Sequence, residues 1–297
     1  MKVFPKDKVI YRFNQQNPLV YSVQDGESFW VETDDCYSGQ ISSEKVLRTQ
    51  IDISIMDCSV GPIGVDGAEP GDVLCVEVLD IQLAPQGVMV TSPGLGLLGH
   101  KIKEPNTKII PIKDGYVVFS PEIRLPLTPM IGVMGVAPKE GDIHCAVPGD
   151  HGANMDTKMI KTGAKVYLPV AIKGAGLAVG DIHACMGDGE MSGTGIEIAG
   201  KMLLKTTVVK TQFTSRPVIE TDDSIFIVAS AADIYDAVRI AMDDMVSLLM
   251  RKKNLDFPDA YRLLSATCDI QISQLVNDVP TVRVRAPKAD LAIDSPV

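Results

Sequence analysis

Histidines and acidic residues are concentrated in one glycine-rich stretch, residues 144–197. Glycine lets the backbone turn sharply and approach a ligand closely. Ionisable groups at this density are poor material for an apolar core, because each buried charge needs a partner or a metal ion. The stretch therefore predicts a hydrolytic metal site. Its ionisable residues of interest are His144, His151, His183, Asp150, Asp156, Asp181, Asp188, Glu190 and Glu197.

Two short patterns within this stretch place polar residues two positions apart. In Asp181-Ile182-His183 both polar side chains face the same side of a strand, about 6–7 Å apart. Asn154-Met155-Asp156 repeats the pattern with an amide and a carboxylate. Imidazole and carboxylate are ligands of catalytic zinc, which keeps one position open for water. A hydrogen-bonded His–Asp pair without metal is the simpler interpretation, and H-E-x-x-H is absent, so spacing alone leaves both open.

The chain resembles the acetamidase/formamidase family in segments spread over nearly its whole length. The resemblance implies a metal-dependent amidohydrolase that converts small amides, such as formamide or acetamide, to ammonia and the carboxylate. Ala153 stands where the family motif HGGNMD has a second glycine. The matching segments are TDDCYSGQ (33–40), GPIGVDGAEPGDVLCVEV (61–78), IGVMGVAP (131–138), PGDHGANMDTK (148–158), GAKVYLPV (163–170) and VGDIHACMGDGEMSGTGIE (179–197).

The candidate metal ligands are Asp35, Asp156, Asp181 and His183. Asp35 is included through the resemblance, because two consecutive acids at the end of a strand are typical of a solvated turn. Zinc is the first candidate, but a carboxylate-rich ligand set leaves a harder cation such as Ca²⁺ or Mn²⁺ open. We therefore expect a divalent metal as cofactor.

The expected mechanism is hydrolysis by metal-activated water. A bound cation polarises the amide carbonyl and lowers the pKa of water to near 7. A carboxylate must take the proton from water and deliver it to the leaving nitrogen, and Glu190, in the glycine-rich loop after His183, is the candidate. His151 and Asn154 are candidates to stabilise the oxyanion.

Two other functions are compatible with the same residues. A cysteine-nucleophile amidase would use Cys145 or Cys185, with Glu190 and Lys158 nearby, but such a thiol needs a lowered pKa. A non-catalytic metal- or ligand-binding β domain is the other possibility, because a fold does not determine a function.

Composition excludes some classes of partner. The net charge of −10 argues against nucleic acid and anionic membranes, both of which are bound through basic patches. No apolar run approaches the roughly 20 residues of a membrane span, and no secretory signal is visible. The six scattered cysteines predict reduced thiols in a cytoplasmic protein. We expect a small amide as substrate and a homo-oligomer, a dimer or larger.

The elements that must position these residues are mostly strands. Short apolar segments divided by Gly and Pro predict a mainly β fold with a sandwich- or barrel-like body. Strands are expected, among other places, at 73–79 continuing to 83, at 165–170, at 225–229 and at 281–285. Residues 61–65 are predicted to form a turn.

The pattern changes after residue 230. Apolar residues at a spacing of three and four predict a helix over 231–252, and Asp256 followed by Pro258 predicts a second helix over 258–266. Residues 269–276 are compatible with helix or strand. We therefore expect a β-rich catalytic body over 1–230 and a helical α+β C-terminal part over 231–297, packed together as one compact unit.

Overall fold

Two large β-sheets and a layer of helices form the computed structural model, which describes residues 1–297. The strands are numbered along the chain. The first sheet has nine strands, in the spatial order β1 (Lys2–Phe4), β5 (Ser28–Thr33), β18 (Gly200–Val209), β7 (Val73–Leu83), β15 (Lys165–Pro169), β19 (Val218–Glu220), β20 (Ser224–Ser230), β22 (Thr281–Pro287) and β21 (Asp269–Gln274).

The second sheet has eleven strands and contains the elements that surround the candidate site. Three of them, β2 (Val9–Ile10), β4 (Tyr21–Val23) and β6 (Ser59–Val65), lie beside the main path, and β3 (Arg12–Phe13) pairs separately with β13 (Ile143–His144). The main path is β11 (Arg124–Pro126), β10 (Tyr116–Val118), β9 (Asn106–Lys113), β8 (Gln86–Thr91), β17 (Glu197–Ile198), β16 (Leu177–His183), β12 (Met130–Gly135) and β14 (Gly152–Asn154).

The first sheet is covered on both faces. Alternation along β7 directs Leu74 and Val76 into a core of 36 buried residues that also contains Val179 of the second sheet. Val73 and Cys75 point the other way, into a core of 20 buried residues shared with the helices. The order of layers is therefore second sheet, first sheet, helices.

The predicted helices are confirmed. Helix α1 (Ile234–Lys253) begins at Asp233, whose carboxylate accepts hydrogen bonds from two backbone N–H groups of the first turn. Helix α2 (Phe257–Thr267) begins at Asp256, whose carboxylate accepts a hydrogen bond from the backbone N–H of Asp259. A short helix, α3 (Lys288–Leu291), follows the last strand, and single 3₁₀ turns lie at Arg48–Gln50, Ile53–Ile55 and Gly99–Lys101.

The mainly β class is confirmed, with 38% strand and 15% helix. The segment that local pattern left undecided, 269–276, supplies the edge strand β21. The boundary drawn at residue 230 lies between elements of one sheet, because β20 pairs with β22 from Ser224↔Pro287 to Ser230↔Thr281. No helix has both the length and the apolar character that a membrane crossing requires.

The predicted turn at 61–65 is wrong. These residues lie inside β6, which is buried along its whole length and pairs with β16. A Cβ on Gly61 would lie 2.6 Å from the carbonyl oxygen of Leu177. The glycine therefore permits close packing against the neighbouring strand, and burial between strands overrides the local turn preference.

Candidate active site

Five ionisable residues meet in a cavity of about 220 Å³ in the second sheet. Each is at most 7% exposed. They come from β16, from β17, from the end of β14 and from the loop after β16. This group is called the site cluster, and its members are Asp156, Asp181, His183, Glu190 and Glu197.

His183 lies at the centre of the site cluster. Its Nε2 atom is 3.0 Å from Oε2 of Glu197, 3.3 Å from Oδ1 of Asp181 and 4.0 Å from Oδ1 of Asp156. Glu197 is brought there by register, since it is directly paired with His183 between β16 and β17. Asp156 follows β14, which reaches β16 across β12.

Three oxygens of the site cluster are buried without a hydrogen-bond donor. They are Oδ1 of Asp156, Oδ1 of Asp181 and Oε2 of Glu197, which lie near His183 but accept no well-directed hydrogen bond. A buried carboxylate without a partner is costly unless a cation compensates it. Ligand atoms of Asp156, His183 and Glu190 lie within 4.8 Å of one another, and so do those of Cys36, Asp181 and Glu197. Such spacing fits the coordination of a cation.

Burial and the mutual interaction of charges shift the pKa values of the site cluster. Burial raises the pKa of Asp156 to about 7, that of Glu197 to about 8 and that of Glu190 well above its usual range. Burial also pushes the pKa of Asp181 up, but the charge of His183 and the hydrogen bonds with His183, Glu197 and Asp156 together leave that pKa lowered. Burial lowers the pKa of His183, but the negative charges of Glu197 and Asp181 raise it by more. The net result is a pKa well above the usual value. A divalent cation suits this set of carboxylates and one imidazole.

The backbone at the site adopts the left-handed region that L-residues rarely occupy. The φ angles are +42° at Asp156, +57° at Asp181 and +46° at Glu190. Such strain persists only where the surrounding structure imposes it, and it is frequent at functional sites. Ala153, where the family motif has glycine, also has a positive φ of +67°, which explains why glycine suits this position.

Gly132 of β12 leaves the space that the carboxylates occupy. A Cβ there would lie 2.2 Å from Oδ2 of Asp181 and 2.6 Å from Oδ1 of Asp156. Any larger residue would have to displace both side chains. The glycine is thus a condition for bringing the two carboxylates together.

Not every predicted site residue lies in this cavity. Asn154 does line it, with an unpartnered Oδ1 atom. The Oδ1 atom of Asp35 accepts hydrogen bonds from the backbone N–H groups of Tyr37 and Gly39, both at 3.0 Å, and Asp35 does not line the cavity. His151 packs edge-on against Phe13, with ring centroids 5.3 Å apart, and lines a separate cavity of about 590 Å³.

The profile of the acetamidase/formamidase family matches residues 4–144 and 139–288. The chain belongs to the acetamidase/formamidase family. The resemblance found in the sequence is thereby confirmed.

Two relatives of this family member differ from it in length. The formamidase of Methylophilus methylotrophus is 28% identical in an alignment that spans 258 positions and covers 67% of this chain and 63% of that protein. The acetamidase of Mycolicibacterium smegmatis is 25% identical in an alignment that spans 266 positions and covers 67% of this chain and 65% of that protein. The chain thus spans just under two thirds of the length of these relatives.

Solved acetamidase structures match this family member over almost its full length. The acetamidase of Bacillus halodurans is 41% identical, with a TM-score of 0.96 and coverage of 99% of both chains. The acetamidase of Yersinia enterocolitica is 30% identical, with a TM-score of 0.92 and coverage of 98% of this chain and 92% of that one. The two sheets and the C-terminal part therefore belong to a single fold that these family members share.

Sequence analysis missed several residues that line the cavity of this acetamidase/formamidase family member. Glu197 was noted as one of the acids of the central stretch, but nothing local linked it to His183, because the link is strand pairing. Cys36 follows Asp35 directly and has no motif of its own. Further polar residues of the lining include Tyr37, Asp57 and Asn277.

The cysteines of this family member do not have the properties of nucleophiles. Burial raises the pKa of Cys145 to about 12 and also raises that of the half-buried Cys185. A reactive thiol requires the opposite shift. Cys145 lies in an apolar group with Phe13 and Val133, which is the environment of a small core residue.

Proposed function

We propose that this chain hydrolyses short aliphatic amides, such as formamide and acetamide, to ammonia and the carboxylate with the help of a bound divalent cation. Membership of the acetamidase/formamidase family supports the amide substrate. The observation that carries the cation is the set of three buried, unpartnered carboxylate oxygens around His183. His183 lies 3.0–4.0 Å from these oxygens, but one imidazole carries at most a single positive charge against three carboxylates.

Asp156, Asp181, His183 and Glu197 would hold the cation. When bound, it would polarise the amide carbonyl and lower the pKa of a water molecule to near 7. Zinc is the first candidate because an imidazole is among the ligands, and Ca²⁺ or Mn²⁺ is compatible with the three carboxylates.

Glu190 is the proposed proton carrier. It is buried in the cavity beside Asp156, within reach of any reactant that occupies it. Its carboxylate takes a proton from the attacking water and delivers it to the amide nitrogen, which cannot leave as an anion. Asn154 and the unpartnered hydroxyl of Tyr37 line the same cavity and can donate hydrogen bonds to the carbonyl oxygen as its negative charge develops.

The size of the cavity favours short substrates. Its volume of about 220 Å³ is below the roughly 300–1,000 Å³ of sites for drug-sized ligands. Formamide and acetamide differ by one methyl group, and such a difference supports discrimination of only about 10- to 200-fold. We therefore expect both to be substrates, with a preference between them.

The first experiment is metal removal followed by reconstitution. The purified protein is stripped with a chelator, its metal content is measured by mass spectrometry, and Zn²⁺, Ca²⁺ or Mn²⁺ is added back. Ammonia release is then followed with formamide, acetamide and propionamide. We expect ammonia release to stop when the metal is stripped and to recover with at least one added cation. Full activity of the metal-free protein would contradict the proposal.

One variant and two reagents separate the alternative functions. Glu190→Gln should retain the cation and lose turnover, because it removes the proton carrier without removing a proposed ligand. A non-catalytic binding domain would show no turnover in the unmodified protein. Inhibition by iodoacetamide but not by a chelator would instead favour a thiol nucleophile.

A further inference from the structure

Arg283 of β22 is a fully buried arginine outside the site cluster. Each of its three guanidinium nitrogens donates at least one hydrogen bond, so the charge is fully compensated although no water reaches it. The strongest contact is with Asp188, both of whose oxygens lie 2.8 Å from Nη2 of Arg283. The other acceptors are Oε1 of Gln271, Oγ1 of Thr157, the carbonyl oxygen of Ile272 and Oγ of Ser273.

Two of these contacts reach the segments that contain catalytic groups. Thr157 directly follows Asp156, and Asp188 lies two residues before Glu190. Arg283 therefore connects one segment to the other, and Lys158 adds an ion pair with Asp188 at 3.0 Å. A planar guanidinium suits this task, because its nitrogens are fixed relative to one another: Nη2 donates to both oxygens of Asp188 while Nη1 donates to Thr157.

The backbone adds a second connection at the same place. The N–H of Gly189 donates to the carbonyl oxygen of Ser273 at 2.8 Å, and the N–H of Leu275 donates to the carbonyl oxygen of Gly189 at 3.2 Å. Gly189, the residue immediately before Glu190, thus binds the loop to the end of β21. The left-handed backbone at Glu190 is imposed within this fastened loop.

The C-terminal part also contacts Asp156 directly. The side-chain amide of Asn277 donates to Oδ2 of Asp156 at 3.1 Å and approaches the carbonyl oxygen of Asn154 at 3.5 Å. Gln274 in turn accepts hydrogen bonds from the N–H groups of Val276 and Asn277 and so holds this turn. One oxygen of Asp156 is therefore held in place, while the other, Oδ1, is free to bind a cation.

We propose that Arg283 is a positioning residue of the active site, which sets the location of Glu190 relative to Asp156 through Asp188 and Thr157. This proposal rests on the proposed amide hydrolysis. Arg283 does not line the cavity, so its effect is transmitted by the two segments that it binds. A displacement of about 1 Å in a catalytic group can reduce turnover about 100-fold, which makes such a connection consequential.

The test uses Asp188→Asn, because replacing the buried Arg283 could prevent folding. The change weakens the two-oxygen contact with Arg283 together with the ion pair of Asp188 with Lys158, and the half-exposed position of Asp188 tolerates an amide. Asp269→Asn is the matched control. Asp269 is the acidic partner of Arg285, the next residue on the same face of β22, and lies outside the cavity.

Three kinds of measurement are made on the unmodified protein and on the variants: steady-state kinetics with acetamide, which give kcat and KM; thermal unfolding; and hydrogen exchange of the amides of residues 187–193. We expect Asp188→Asn to lose about 10- to 100-fold in kcat, as for other residues that orient catalytic groups. KM should change little, because ground-state binding is not affected. Hydrogen exchange in residues 187–193 of Asp188→Asn should accelerate. Asp188→Glu, which keeps the carboxylate, should recover part of kcat. The control Asp269→Asn should match the unmodified protein.

Unchanged kcat and unchanged exchange in folded Asp188→Asn would overturn the proposal. So would a loss of kcat that the control reproduces, because that would indicate a general effect of lost surface charge. If the unmodified, metal-loaded protein releases no ammonia from any short amide, the proposed function fails. The exchange measurement still tests the connection in that case, since faster exchange in 187–193 supports it and unaltered exchange refutes it.

Discussion

Nε2 of His183 lies 3.0 Å from Oε2 of Glu197, because β16 and β17 pair these two residues directly. Side chains at paired positions share one face of a sheet, so the register alone brings an imidazole and a carboxylate together. The pair lies beside two further carboxylates and lines the cavity.

Glu197→Gln should weaken cation binding, because it replaces a charged ligand with a neutral amide. At a free cation concentration of 100 times Kd, binding stabilises a folded protein by about 2.7 kcal/mol. A tenfold loss of affinity would reduce this gain by about 1.4 kcal/mol. Unfolding followed with and without the cation measures the difference, and an equal gain in both proteins would show that Glu197 is not a ligand.

Gly132→Ala should impair the site more than it impairs the fold. The added methyl group would lie 2.2 Å from Asp181 and 2.6 Å from Asp156, so both carboxylates must move. We expect at least a roughly tenfold loss of cation affinity, by analogy with other changes that disturb ligand orientation. Titration with the cation measures it. Gly187→Ala is the control, since that glycine has no neighbour within 4 Å, and equal effects of the two substitutions would contradict the argument.

Stability at acidic pH should depend on His151. Burial lowers its pKa from 6.5 to about 4, so between these values the unfolded chain binds more protons than the folded one. The contribution of neutral His151 is therefore complete above pH 6.5 and is lost as the pH falls towards 4, up to about 3 kcal/mol.

The measurement compares the pH dependence of unfolding in the unmodified protein and in His151→Gln. Other buried acids titrate in both proteins, so the difference between the two slopes isolates the histidine. We expect a shallower slope in the variant between pH 4 and 6.5. Identical slopes would mean that His151 takes up no additional proton on unfolding.

Cys145→Ala should retain turnover. The thiol is completely buried and burial raises its pKa to about 12, so it is neither accessible nor ionised near neutral pH. We expect a modest loss of stability, about 1 kcal/mol, from the missing core atom. Ammonia release and thermal unfolding measure the two effects, and a folded variant without activity would revive the thiol mechanism.

Local pattern predicted much of the fold because the responsible interactions are themselves local. Apolar residues at a spacing of three and four predicted α1, and the carboxylates of Asp233 and Asp256 begin the two main helices as their capping chemistry requires. The period of two in Asp181 and His183 correctly predicted that both side chains face the same side. These features involve neighbours within a few residues.

Local pattern failed where distant parts of the chain decide the structure. The glycine and proline of β6 suggested a turn, yet burial against β16 makes them part of a strand. Residues 269–276 carry no decisive periodicity, and pairing with β22 makes the segment β21. In both cases the neighbouring strand provides the hydrogen bonds and the apolar contacts that the local sequence does not specify.

The sequence by itself determined the chemical types at the site: a dense set of carboxylates and imidazoles in a flexible, glycine-rich frame. Tertiary structure decided which of them meet. Strand register brings Glu197 to His183, the missing side chain of Gly132 admits Asp156 and Asp181, and the C-terminal strands supply Arg283. The physical reason is that coordination and proton transfer act over about 3 Å, whereas the residues that perform them are brought to that distance only by packing between strands that are far apart in the chain.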